Sequence, residues 1–185
     1  MIFISGVHGV GKSYFCNLVK ESTGIEVYSA SALIAGEKQS GFAKDKLIPD
    51  IGDNQQYLLL TLDKLKASRK NFILDGHFCL LNASGEVQRI PYKTFAALRP
   101  DAIILLTEKP EVVMSRRRER DNVEFAPQSI EAFQQEEVAY AKEIAASIGA
   151  KLFISNGADN LAQAVDFIRM FSEGAGEAIA QNYLE

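Results

Sequence analysis

The sequence predicts an α/β fold in which a parallel sheet lies between helices on both faces, three layers in all, and three observations predict it. Five short apolar runs, residues 2–5, 25–28, 72–74, 102–106 and 152–154, alternate with longer amphipathic stretches, the pattern of successive β-α-β units. A glycine-rich segment, Gly6-Val7-His8-Gly9-Val10-Gly11-Lys12-Ser13, joins the first run to the helical stretch that follows it. The third run ends on a carboxylate, Asp75, at the end of a parallel strand where open sheets of this class bind ligands.

Each element has its own local signal. A helix starts at Lys12 and extends to about residue 21, with Phe15, Leu18 and Val19 on one face and Gly24 as its stop. Residues 31–36 suggest a short helix, and residues 38–52, polar and carrying Gly41, Pro49 and Gly52, suggest a mobile connection. Residues 53–70 form a strong helix with Tyr57, Leu58, Leu62 and Leu65 at helical spacing. Residues 78–90, with Asn82 and Gly85 between two apolar arms, suggest a hairpin. Pro91 opens a brief helix that Pro100 closes. Pro110 stands where a helix accepts proline, near its first turn, and that helix runs into Arg116-Arg117-Arg118-Glu119-Arg120. Residues 122–128 break it. A long helix over 129–148 stops at Gly149, another runs from Asp159 to about residue 170, and residues 178–184 suggest a last short one. With 185 residues, 47% of them hydrophobic and 24% charged, residues 1–185 are expected to form one domain.

The glycine-rich segment matches G-x-x-x-x-G-K-[ST], the P-loop, whose backbone amides cradle the phosphates of ATP or GTP. The fold class is therefore a P-loop NTPase three-layer sandwich. Gly6, His8, Gly9, Val10, Gly11, Lys12, Ser13 and Tyr14 form the expected nucleotide cradle. Lys12 supplies a cation for the β- and γ-phosphates and Ser13 a hydroxyl for Mg²⁺. His8 stands at a variable position of the motif and carries no assigned chemistry. Asp75 occupies a Walker B-like position, suited to Mg²⁺ directly or through water; Asp75-Gly76 is also a common turn pair. His77, two residues on, either touches substrate or bonds within its loop. The arginine run suits a closing flap that sets planar, permanently charged guanidinium groups over a transferring phosphoryl group. On a helix, Arg116 and Arg120 share a face while Arg117 and Arg118 point elsewhere.

Composition narrows the partners. A net charge of −4 and a pI near 5.3 argue against a general nucleic-acid surface. Cys16 and Cys79 lack the spacing of a metal site or a disulfide framework. The chain opens on a strand and the P-loop, without the pattern of a signal peptide, and no apolar run reaches spanning length. A cytoplasmic protein, away from membranes, is the expectation, with its oligomeric state open.

The P-loop, the Asp75-Gly76-His77 turn, Ser84-Gly85 through Pro91, Arg99-Pro100-Asp101 before a strand, and Pro110 through Asp121 together resemble the archaeal-type adenylate kinases and related P-loop nucleoside monophosphate kinases. The resemblance covers residues 1 to about 170. It implies a sheet of five parallel strands in the order 2-3-1-4-5, a substrate-binding segment within residues 30–70 and an arginine-bearing lid over 116–127. It implies ATP and Mg²⁺, with Ser13 and Asp75 serving the metal, Lys12, Asp75, Arg116 and Arg120 as catalytic residues, and Arg116 and Arg118 on the nucleotide. The implied reaction is transfer of the γ-phosphoryl group of ATP to AMP or a similar small-molecule acceptor, with residues 38–52 and 116–127 moving. Residues 30–52 contain no arginine, whereas adenylate kinases of the common bacterial and eukaryotic kind use one there to grip the acceptor phosphate. Two other readings therefore stand: a kinase for a nucleoside, a sugar or a cofactor precursor, and a regulatory ATPase switch that binds a protein. Lys12 is expected to face solvent in the empty site.

Overall fold

The computed structural model describes residues 1–39, 51–68, 71–82, 85–121, 126–156 and 159–172. In chain order its elements are β1 (Ile2–Ser5), α1 (Lys12–Thr23), β2 (Val27–Ser29), α2 (Ala30–Gln39), α3 (Ile51–Ser68), β3 (Ile73–Asp75), β4 (Cys79–Leu81), β5 (Val87–Arg89), α4 (Tyr92–Leu98), β6 (Ala102–Thr107), α5 (Pro110–Asp121), α6 (Pro127–Ile148), β7 (Lys151–Asn156) and α7 (Leu161–Ser172).

Five strands form one sheet in the order β2-β3-β1-β6-β7, with every pairing parallel. With only this sheet's strands counted, the order is 2-3-1-4-5. β1 lies at the centre, Ile2 opposite both Ile73 and Ala102, and all four of its residues are buried. A strand covered on both faces needs an unbroken apolar run rather than an alternating one, which is what Ile2-Phe3-Ile4 and Ala102-Ile103-Ile104-Leu105-Leu106 provide.

One part of the core bears directly on the site. The Phe78 and Phe95 rings stack at 4.7 Å between centroids, Phe3 meets them edge-on at 5.2 and 5.7 Å, and Tyr140 of α6 meets both edge-on at 6.2 and 6.0 Å. The Tyr140 hydroxyl donates to the Ile90 carbonyl at 2.7 Å. This aromatic block sits beneath the chain that leaves β3. The hairpin β4–β5 is antiparallel, pairing Cys79 with Arg89 and Leu81 with Val87, as the arms over 78–90 suggested.

Several boundaries differ from the sequence reading. The second strand is Val27–Ser29 rather than residues 25–28. The helix expected over 31–36 runs as Ala30–Gln39, through Gly36, which a helix interior tolerates at a cost near 1 kcal/mol. α3 starts at Ile51, so Gly52 belongs to a helix and not to the connection; residues 40–50 of that connection lie outside the described residues. α4 ends at Leu98, capped by Arg99, whose φ of 44° is left-handed and whose amide bonds to the Phe95 carbonyl, so the stop falls before Pro100. α6 begins with Pro127 in its first turn, where the missing N–H costs nothing, rather than at Ser129. α7 starts at Leu161, after Asn160, whose Oδ1 accepts from the Asn156 amide at 2.7 Å and the Ser155 hydroxyl at 3.0 Å. The suggested helix over 178–184 lies outside the described residues, as do 122–125 of the expected lid and 69–70 of the substrate segment.

Candidate functional site

The loop between β1 and α1 is shaped by what a side chain would strike. Gly6 has φ 147°, and a Cβ there would lie 2.6 Å from the Leu106 carbonyl oxygen and 2.9 Å from a Val10 methyl. Gly9 has φ 87°, and a Cβ there would lie 2.7 Å from Cγ of Arg117. Only glycine meets both conditions. α1 then begins with no side chain capping its first amides, so those N–H groups and the positive end of the helix dipole remain available to an anion. Ser13 and Tyr14, on the first turn, are exposed.

Lys12 does not face solvent, contrary to expectation. It is half-buried, its Nζ donating to the Gly6 carbonyl at 2.7 Å and lying 3.4 Å from Nε2 of His77. Burial lowers its pKa, against the pull of the Asp75 and Glu137 carboxylates. The ammonium is thus folded over the loop, beside the place a phosphate would occupy.

Asp75 ends β3, and the Gly76 amide after it bonds to the Ile4 carbonyl at 2.9 Å. A Cβ at Gly76 would strike the Phe3 ring at 2.7 Å, so the chain turns there in contact with the aromatic block. Asp75 Oδ1 is buried with no hydrogen-bond partner among the described residues. Burial pushes its carboxyl up, and Lys12 opposes the shift. The His77 ring lies 4.3 Å from that of His8; burial first, then the charges of Lys12 and His8, push its pKa down to about 2. His77 is therefore neutral throughout the physiological range.

Sequence reasoning missed Glu137, on α6. It is 1% exposed, and its carboxylate accepts from the Ser5 hydroxyl at 3.1 Å, the Phe78 amide at 3.3 Å and the Cys79 amide at 3.2 Å. His77 Nδ1 stands 3.9 Å from it. Burial pushes its carboxyl up to about 7, against those hydrogen bonds. One side chain thus ties the end of β1 to the chain leaving β3. A signal existed: Ile130, Phe133, Tyr140, Ala141 and Ile144 recur at helical spacing around it, which puts Glu137 on the apolar face of its helix.

Two cavities flank the P-loop. The first, of about 420 Å³, opens between β3, α2, α3 and α4 and is lined by Asp75, His77 and His8 together with Ser29, Asn54, Gln55, Leu58, Thr94 and Phe95. α2 and α3 belong to the expected substrate segment; Asn54, Gln55 and Thr94 were not foreseen. The second, of about 460 Å³, is lined by Val10, Gly11, Tyr14, Thr107, Glu108, Arg116 and Leu161. Arg116 reaches it from α5, donating to the Val10 carbonyl at 2.9 Å and approaching Glu108 at 3.5 Å. Glu108 is held in turn by Gln134, whose amide accepts from its N–H at 3.0 Å and donates to its carbonyl at 2.8 Å.

The four arginines separate as helical geometry demands. Arg116 touches the loop, and Arg120 lies close enough to depress Lys12. Arg117 is buried with its stem behind Gly9, while Arg118 is exposed. The structure therefore gathers Gly6, His8, Gly9, Val10, Gly11, Lys12, Asp75, Arg116 and Arg120 around one loop. Among the described residues no helix is long and apolar enough to cross a membrane.

Comparisons with known proteins agree with this architecture. No curated protein matches the sequence. Among solved structures, a gluconokinase from Sinorhizobium meliloti is similar at 18% identity, over 95% of this chain and 94% of that one, with a TM-score of 0.56. A sugar kinase from Janibacter is similar at 17% identity over 93% of each chain, TM-score 0.52. The YorR protein from Bacillus subtilis, solved in complex with phosphorylated GDP, is similar at 14% identity over 96% of this chain and 98% of that one, TM-score 0.59. At these identities the likeness establishes a shared fold alone. The model of the AAA domain family matches residues 5–134, from the last residue of β1 to the middle of α6, and the chain belongs to that family.

Proposed function

We propose that this chain is an ATP-dependent kinase that transfers the γ-phosphoryl group to a hydroxyl of a small molecule held in the cavity beside Asp75. The observation that carries the reading is the position of Asp75: its Oδ1 is buried and unpartnered among the described residues, its carboxyl feels the charge of the P-loop lysine, and the residue lines that cavity.

The loop amides and the start of α1 hold the phosphate chain. Lys12 leaves the Gly6 carbonyl for the γ-phosphate, exchanging a neutral acceptor for an anionic one. The exposed Ser13 hydroxyl on the first turn and the Asp75 carboxylate, acting through the metal's water, fit a hydrated Mg²⁺, and they are the residues that would hold it. When bound, Mg²⁺ supplies neutralisation of charge on the β- and γ-oxygens. Arg116, which lines the second cavity, would serve the nucleotide, and Arg120 would add positive charge near the transferring group. The acceptor oxygen forms its bond to the γ-phosphorus as the bond to the β–γ bridging oxygen breaks. ADP leaves with that electron pair, and Asp75 takes the hydroxyl proton. His77, neutral beside Lys12, serves as a wall that excludes water.

A nucleoside monophosphate acceptor is the second reading, favoured by the arginine run next to the P-loop and by the 2-3-1-4-5 sheet order that the adenylate kinase resemblance implies. Against it, the described residues lining the first cavity include no lysine or arginine to neutralise a second phosphate. ADP release from ATP and Mg²⁺, measured with AMP, other monophosphates, nucleosides and sugars in turn, tests both. Stimulation by a hydroxyl acceptor supports the first and stimulation by a monophosphate the second. Fast phosphate release indifferent to every acceptor overturns both in favour of an ATPase switch.

A further inference from the structure

Among the described residues, four buried side-chain oxygens without a hydrogen-bond partner belong to residues around one hollow: Asn54 Oδ1, Gln55 Oε1, Thr94 Oγ1 and Asp75 Oδ1. All four residues line the first cavity. Each such oxygen destabilises the empty protein, and native interiors hold few of them, so their concentration at one hollow needs a cause. Gln55 is 6% exposed and Thr94 2%, from different helices, α3 and α4. The same cavity is lined by the apolar side chains of Phe3, Leu58, Phe95 and Leu98, with Leu58 and Leu98 one turn beyond Asn54 and Thr94 on α3 and α4, a boundary suited to a ring.

We propose that the acceptor is an uncharged ring compound of the nucleoside class, which lays its ring against Phe95 and Leu58 and presents N–H or O–H donors to Asn54, Gln55 and Thr94 while a hydroxyl meets Asp75. The inference rests on the kinase reading above and narrows its acceptor. A sugar acid or a monophosphate would bring an anion to a cavity whose described lining carries the Asp75 carboxylate and no lysine or arginine to neutralise it. A neutral donor edge satisfies all three oxygens after small rotations of their side chains, and the volume of about 420 Å³ falls within the range for a small-molecule site.

The test uses the full chain with ATP and Mg²⁺, offering adenosine, cytidine, AMP, CMP, glucose and gluconate, together with the variants Gln55→Leu and Thr94→Val. A nucleoside is expected to give the highest kcat/KM. Each variant is expected to raise the KM for that nucleoside about tenfold, the worth of one lost hydrogen bond, with kcat changed much less. Each is also expected to raise the Tm by about 2–4 °C, since it removes an unsatisfied buried oxygen while keeping much of the shape. A purely structural role for these residues predicts a lower Tm and an unchanged KM. Preferred turnover of AMP, CMP, glucose or gluconate overturns this inference and leaves the kinase reading standing. ATP hydrolysis that no acceptor stimulates overturns both. A variant that unfolds while its partner variant leaves KM unchanged also overturns it.

Discussion

Lys12 and Glu137 show how burial, rather than residue type, decides what a charge does. Lys12 is folded onto the Gly6 carbonyl, so replacing it removes one hydrogen bond and one costly buried ammonium together. Lys12→Ala is expected to shift stability by less than about 1 kcal/mol, read by urea denaturation, yet to slow transfer by about 100-fold or more, the scale of one preorganised charge contact. Unchanged turnover would separate the P-loop from the reaction. Glu137 titrates near 7 in the fold against 4.5 for an ordinary glutamate. Between those values the folded chain holds a proton that the unfolded chain has released, so this group's contribution to stability falls as pH rises from 4.5 to about 7. Asp75, also raised, acts in the same sense, whereas His77, lowered to about 2, acts oppositely up to 6.5. The difference in unfolding free energy between the native chain and Glu137→Gln isolates the first effect. It is expected to shift against the native chain across that window and to level off above it, and a difference that does not vary with pH would refute the assignment.

At the scale of elements, the P-loop depends on the strand beside it as much as on its own glycines. A methyl at Gly6 would stand 2.6 Å from the Leu106 carbonyl of β6, a backbone atom that cannot rotate away, at a φ of 147° that side chains rarely adopt. Gly6→Ala is therefore expected to cost about 2–3 kcal/mol, lowering the Tm by several degrees and weakening ATP binding, both read by thermal shift with and without nucleotide. α5 has a comparable tie, since the Arg117 stem occupies the space behind Gly9. The arginine run was legible in the sequence as a charged helix end, and its division into faces follows from 100° per residue. That Arg117 faces inward was not legible, because a charged residue is ordinarily assigned to solvent. The helix boundaries were read to within a few residues for similar reasons: glycines and prolines mark stops clearly, but α2 runs through Gly36 because packing outweighs a weak local preference.

For the whole molecule, nucleotide binding links the sheet, the loop and α5. ATP at 100 times its Kd is expected to stabilise the fold by about 2.7 kcal/mol, a Tm rise of roughly 5–10 °C for a chain of this size, and the absence of any shift would argue against the P-loop as a binding site. The sequence by itself determined the parallel α/β architecture, the phosphate loop and the carboxylate at the end of β3. These are encoded in contiguous segments, where apolar runs, glycine spacing and helix caps act on neighbouring residues. Only the tertiary structure decided that Glu137 of α6 clamps the β3 exit to β1, that Lys12 rests on its own loop, and that Asn54, Gln55 and Thr94 line one cavity with Asp75. Those groups are separated by tens of residues in the chain, and a distance set by sheet order and helix packing leaves no local trace in the residues it brings together.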